Sequence, residues 1–148
     1  MTEQPIRIMI ADDNEDHVFL AVRALQDLNG GTHLEIQAVH DGAEALAYIN
    51  GEGQFTGRTL PHLILLDIKM PKVDGLEVLR TLKENPTFRV IPVVMLSASE
   101  RPEDVDASYK LGANSYVTKP AGVGEFREGI AQLKHYWTQL SSLPVALR

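Results

Sequence analysis

Short unbroken apolar runs alternate along this chain with longer segments whose apolar residues recur every three or four positions. Leu63-Ile64-Leu65-Leu66 and Pro92-Val93-Val94-Met95-Leu96 are apolar throughout, as expected of strands buried on both faces of a parallel sheet. Residues 6–11 and 34–39 supply two more strands, and residues 115–118 a short fifth. Between them the period is helical. Residues 15–28 place Val18, Ala21, Val22, Leu25 and Leu28 on one face and are halted by Asn29-Gly30-Gly31. A helix after Asp41-Gly42 runs through Ala45, Leu46 and Ile49 to Asn50-Gly51, and one over 76–84 faces inward with Leu76, Leu79 and Leu82 before Asn85-Pro86 breaks it. Pro102 suits a first helical turn, with Gly112 at the far end. A last helix is expected from about 124 to 140. Strand then helix, repeated five times, predicts an α/β fold with a (βα)5 doubly wound parallel sheet and right-handed crossovers. The loop 51–61 is long for such a fold, and both a functional loop and a tolerated insertion fit its Gly-rich, polar composition.

The 148 residues suit one domain with a single sizeable core, expected as 1–148 with a core over 6–140, a short tail over 141–148 and no output domain. Charged residues make up 23% of the chain, and a net charge of −6 disfavours direct nucleic-acid binding, which needs clustered Lys and Arg. With no cysteine there are no disulfides, thiolate metal sites or Cys nucleophiles. No apolar run is long enough to span a membrane, and the start of the chain lacks a signal peptide's basic and apolar regions, so a cytoplasmic protein without membrane association is expected.

The candidate chemistry sits at strand ends. Asp12 and Asp13 follow the first strand, Asp67 the third, Ser97 the fourth and Lys119 the fifth. In a parallel sheet these ends share one edge, where open α/β sheets bind ligands. Three clustered carboxylates repel and raise one another's pKa, a conflict that a hard divalent cation removes. Oxygen-only ligands favour magnesium or manganese over zinc. Ser97 can donate to a phosphoryl oxygen and Lys119 offers it a point charge. Together these groups describe phosphoryl transfer to Asp67, a carboxylate nucleophile, by positioning and charge neutralisation.

Asp12-Asp13, the run from Leu65 through Asp67 to Pro71, Asp74-Gly75, Ser97-Ala98, Gly112-Ala113 and Tyr116-Val117-Thr118-Lys119-Pro120 resemble the response-regulator receiver domain of two-component signalling. The resemblance implies a flavodoxin-like sheet of order 2-1-3-4-5 and Asp67 as phosphoacceptor. It implies Mg2+ (or Mn2+) held by Asp13, Asp67 and the Lys69 backbone carbonyl, with Asp12 acting through water. Ser97 and Lys119 would hold the phosphoryl group, with Ala98 beside them; Ser97 and Tyr116 would switch; the Lys119–Pro120 peptide would be cis. A narrower resemblance is to the single-domain regulators that pair with phytochrome histidine kinases. It rests on the long loop, Asn85-Pro86 and the tail around His135-Tyr136-Trp137. The implied partners are a histidine kinase, in particular a bacterial phytochrome, and a downstream protein such as a phosphotransfer protein. The implied role is a phosphorelay switch with weak self-catalysed phosphorylation and dephosphorylation, not a metabolic enzyme.

Two rivals differ in class. A magnesium-dependent aspartyl phosphatase usually carries a second acid two residues past its nucleophile, where this chain has Lys69. An unphosphorylated adaptor would have no need of the acid cluster with Ser97 and Lys119. Lys69 is expected over the pocket mouth, where it would alter hydrolysis of the phosphoryl group. The five histidines show no ligand spacing and read as surface or loop residues. Val123, Phe126, Ile130, Leu133, Trp137 and Leu140 form a heptad-like stripe on the last helix. That helix, about 27 Å long, would overhang a fifth strand of about 13 Å. A homodimer is expected through Phe126, Ile130, Leu133, Trp137 and Leu140, together with the fourth and fifth βα units.

Overall fold

The computed structural model describes residues 5–26 and 33–144. Five strands, β1 (Ile6–Ala11), β2 (Leu34–Val39), β3 (Leu63–Leu66), β4 (Val93–Ser97) and β5 (Ser115–Thr118), form one parallel sheet of order β2-β1-β3-β4-β5. The helices between and after them are α1 (Glu15–Leu25), α2 (Gly42–Asn50), α3 (Gly75–Glu84), α4 (Pro102–Lys110) and α5 (Val123–His135). The expected helical residue Leu28 and the stop at Asn29-Gly30-Gly31 lie outside the described residues.

The sheet divides the core by the two-residue period of its strands. Ile8 and Ile10 of β1, Leu63 and Leu65 of β3, and Val94 and Leu96 of β4 face Ala21, Ala24 and Leu25 of α1 and Phe126 and Ile130 of α5. The intervening residues Met9, Ala11, Ile64, Leu66, Val93 and Met95 face Ala45 and Ile49 of α2 and Val78, Leu79 and Leu82 of α3. The two all-apolar runs, β3 and β4, are therefore buried on both faces, as is the C-terminal part of the interior strand β1, with β2 and β5 at the edges.

Three helices begin on side-chain caps. Asn14 Oδ1 accepts from the N–H groups of Asp16 and His17, Asp41 Oδ1 from Glu44 N at 2.7 Å, and Asp74 Oδ1 from Glu77 N at 2.9 Å. The loop 51–61 closes the C-terminus of α2. Arg58 donates to the Tyr48 carbonyl at 2.7 Å and to that of Ile49, and Phe55 packs edge-on against the Tyr48 ring at 5.2 Å. Free carbonyls at a helix end need such donors, so the loop has a structural role.

Two expectations change. The Lys119–Pro120 peptide is not cis; no cis bond occurs among the described residues. Trans is the lower-energy isomer of an X–Pro bond, by only about 0.5–1 kcal/mol. The expected dimer seam is in large part core. Phe126 and Ile130 are only 4% and 1% exposed and pack between α1 and the sheet, and Leu133 and Trp137 lean on the same cluster. Helix on sheet and helix on partner need the same three-four spacing, which is why the stripe misleads. Beyond α5 the chain makes one wider turn over Tyr136–Leu140. There Tyr136 and Leu140 do stand out, at 46% and 70% exposed.

Candidate functional site

The ladder bonds of the sheet continue one residue past the strands and place the site. Asp12 N donates to Val39 O at 3.1 Å, Asp67 N to Ala11 O at 2.9 Å, and Lys119 N to Ser97 O at 2.8 Å. Asp12, Asp67, Ser97 and Lys119 are thus held by backbone at one edge, and all four are buried. Ser97 is the last residue of β4 itself. Gly75 lets the start of α3 close on this edge: a Cβ there would lie 1.9 Å from the Asp67 carbonyl oxygen.

Lys119 is the centre of the charge arrangement. Its Nζ donates to Asp12 Oδ2 at 2.6 Å and to Asp67 Oδ2 at 3.1 Å. The remaining Asp12 oxygen accepts from Asn14 N at 2.9 Å, and Asp67 Oδ1 accepts from Ile68 N at 2.7 Å. Burial pushes the Asp12 carboxyl above its ordinary value. The bonds from Lys119 and Asn14 pull it the other way, and the Asp67 charge adds to the rise. Asp13 is exposed, yet one oxygen from each of Asp12, Asp13 and Asp67 lies within 4.8 Å of the others. Lys119 bridges Asp12 and Asp67 only, so within this three-carboxylate cluster negative charge remains in excess of the one bound ammonium. The donor set is oxygen alone, which fits a hard divalent ion such as magnesium or manganese.

Above these groups opens a cleft of about 420 Å³, lined by Asp13, His17, Asp67, Lys69, Ser97, Ala98 and Lys119 among others. Every residue assigned to the pocket from sequence except Asp12, which is buried beneath Lys119, reaches this cleft. Ser97 Oγ accepts from Ser99 N at 3.2 Å, and a hydroxyl that accepts such a bond still carries its own proton to donate. Lys69 is exposed at the rim. Tyr116 stands apart from the cleft. Its hydroxyl donates to Ser99 O at 2.8 Å, and its backbone N–H donates to the Tyr109 hydroxyl at 3.1 Å. It is therefore tied to the β4–α4 connection and to α4.

Two histidines are more enclosed than the expected surface or loop residues: His62 does lie in the loop before β3, whereas His17 lies on α1. His62 is buried, and its Nδ1 accepts from Arg7 N at 2.9 Å. His17 lies in the cleft with Nδ1 3.0 Å from Lys119 Nζ, its ring stacked on Phe126 at 5.8 Å between centroids. The signal was present in the sequence. His17 shares the inward row of Ala21 and Ala24, and it occupies the first turn of a helix that starts beside the acid pair. Side chains there lean back toward the helix N-terminus, which is the functional edge.

A doubly wound parallel sheet with acids, a hydroxyl and an ammonium at its C-terminal edge defines a class of phosphate-handling α/β proteins. Within that class the chain belongs to the response regulator receiver family, whose domain matches residues 8–131. It is similar to Response regulator Rcp1 of Synechocystis sp., 38% identical over 112 residues that cover 76% of each chain. The Mn(2+)-bound form of Rcp1 superposes with a TM-score of 0.90 at 33% identity, covering 95% of this chain and 100% of that one. The phosphorylated cyanobacterial phytochrome response regulator RcpA superposes at 0.91 with 36% identity, over 95% and 99%. A probable methanogenesis regulatory protein, FilR2 of Methanothrix harundinacea, is 38% identical over 136 residues, 91% of this chain and 85% of its own. The chain is thus a response regulator receiver, homologous to phytochrome response regulators, and phosphorylation by a histidine kinase is the standard function of its family.

Proposed function

We propose that Asp67 accepts the phosphoryl group from a phosphohistidine of a phytochrome-type histidine kinase. The observation that carries this reading is the buried Lys119 ammonium bridging Asp12 and Asp67 beside the Ser97 hydroxyl. An Asp67 oxygen forms the new O–P bond as the donor's N–P bond breaks. The electron pair returns to the imidazole nitrogen, which takes up a proton. Lys119 and the Ser97 hydroxyl then hold phosphoryl oxygens, with Ala98 at the cleft wall. Asp13, Asp67 and the backbone carbonyl of Lys69 would hold the divalent ion, with Asp12 reaching it through water. When bound, that ion supplies charge neutralisation for the phosphoryl oxygens. The same groups support slow self-catalysed phosphorylation from small donors and slow loss of the group to water.

The switch passes outward through protein surface. A phosphoryl group near Ser97 and Lys119 biases the segment to which Tyr116 is tied. A downstream protein, for example a phosphotransfer protein, reads that face, in the cytoplasm and without direct contact to nucleic acid. The apolar end at Tyr136 and Leu140, next to the half-buried Leu133 and Trp137, supports a homodimer joined there and along the fourth and fifth βα units. No helix among the described residues is long and apolar enough to cross a membrane.

Incubation with acetyl phosphate and magnesium, followed by intact mass measurement, tests the assignment. The wild type gains one phosphoryl group and Asp67→Asn gains none. A wild type that neither gains mass nor releases phosphate overturns it. A chain that remains monomeric at tens of micromolar with and without phosphorylation refutes the dimer alone.

A further inference from the structure

His17 sits in the cleft and has no part in the chemistry described so far. An ammonium has three N–H donors and no acceptor. Lys119 Nζ has three neighbours at bonding distance: Asp12 Oδ2 at 2.6 Å, His17 Nδ1 at 3.0 Å and Asp67 Oδ2 at 3.1 Å. Because Lys119 cannot accept, the bond requires His17 Nδ1 to be bare and the ring proton to lie on Nε2. The residue is fixed at backbone and ring: its main-chain N–H donates to the α1 cap Asn14 Oδ1 at 3.1 Å, and its imidazole lies on the buried Phe126 ring of α5.

We propose that His17 is a positioning residue for phosphorylation, the third acceptor that fixes the direction of the Lys119 ammonium. This rests on Asp67 being the phosphoacceptor. Phosphorylation converts one oxygen of Asp67 to an acyl phosphate oxygen, so the N–H now given to Asp67 is the one free to turn to a phosphoryl oxygen. Asp12 and His17 keep the other two. The ammonium therefore meets developing charge by redirecting a single bond, with little reorganisation at the moment of reaction. Without His17 the group hangs on two carboxylates, and one of these is the nucleophile. The charged groups that line the same cleft are Asp13, Asp67, Lys69, Glu100, Arg101 and Lys119, and from α5 the uncharged Phe126 ring packs on the imidazole.

Two substitutions separate the acceptor from the stack. His17→Phe keeps an aromatic ring against Phe126 and removes the acceptor. His17→Asn removes the ring and places Oδ1 where Nδ1 stood. The initial rate of Asp67 phosphorylation by acetyl phosphate is measured at saturating magnesium over a range of donor concentrations. His17→Phe is expected to lower the maximal rate about tenfold, equivalent to about 1.4 kcal/mol, without changing the half-saturating donor concentration. His17→Asn is expected to restore most of that rate. Equal rates for wild type and His17→Phe, or a slow His17→Asn beside a fast His17→Phe, overturn the proposal. Nitrogen NMR of the wild type gives a readout independent of how the variants fold. Near neutral pH it should find Nδ1 unprotonated and Nε2 protonated, and the opposite tautomer overturns the proposal. A wild type that neither gains a phosphoryl group nor releases phosphate rejects Asp67 as acceptor, which is a distinct result.

Discussion

Replacing Gly75 by alanine sets two physical effects against each other at the back of the phosphorylation site. Gly75 opens α3 with an ordinary negative φ, so helix propensity alone favours alanine by about 0.5–1 kcal/mol. The space does not allow it. The new Cβ would lie 1.9 Å from the Asp67 carbonyl oxygen and 2.8 Å from the Asp67 carbonyl carbon and Ile68 Cα. Carbon and oxygen settle no closer than about 3.3 Å, so the helix start and the β3 end must separate by more than an ångström. That separation strains or breaks the Gly75 N–H bond to Ile68 O, now 2.7 Å, a loss of about 0.5–1.5 kcal/mol. Overpacking adds about 1–3 kcal/mol. The net expectation is a loss of about 2 kcal/mol, with slower phosphorylation because the Asp67 backbone moves. Gly129 is the control. It lies within α5 with nothing within 4 Å of a built Cβ, so Gly129→Ala should stabilise by up to about 1 kcal/mol. Urea unfolding at 25 °C measures both. A Gly75→Ala protein as stable as the wild type, beside a stabilised Gly129→Ala, would refute the steric reasoning.

Asp12 carries a pH signature. Its folded pKa is raised by burial, so the folded state binds that proton more tightly than the unfolded chain. Its contribution to stability is present at low pH and is lost as pH rises from the ordinary carboxylate value through the raised one. Thermal melts should show this loss in wild type and not in Asp12→Asn, and magnesium should offset it because a cation favours the ionised form. Asp41→Ala removes the cap of α2 and should cost about 1 kcal/mol in urea unfolding, whereas Lys72→Ala, which breaks only an exposed 3.4 Å pair with Asp41, should cost under about 1 kcal/mol. Lys69→Ala opens the rim of the cleft and should shorten the aspartyl-phosphate lifetime, followed by loss of the phosphoryl mass with time; an unchanged lifetime removes Lys69 from the hydrolysis step.

Local chemistry carried the element order. The apolar runs of β3 and β4 can be satisfied only between two helical layers, and Asp41-Gly42 and Asp74-Gly75 are caps written next to the helices they start. Asp12, Asp67, Ser97 and Lys119 were legible as a group because parallel strands bring their C-terminal ends to one edge whatever lies between them. Tertiary structure decided what depends on the neighbour across a gap. The stripe through Phe126 and Ile130 has one spacing and two possible partners, and the nearness of α1 and the sheet made it core. Arg58 became a helix cap only when the loop folded back on α2. Gly75 and Gly129 are the same residue, yet the Asp67 carbonyl crowds one and open space surrounds the other. His17 meets Lys119 across 102 residues of chain. Periodicity encodes which way a side chain points, and strand ends encode where an edge will be. Neither encodes which atom waits there, because that contact is set by the packing of elements distant in sequence.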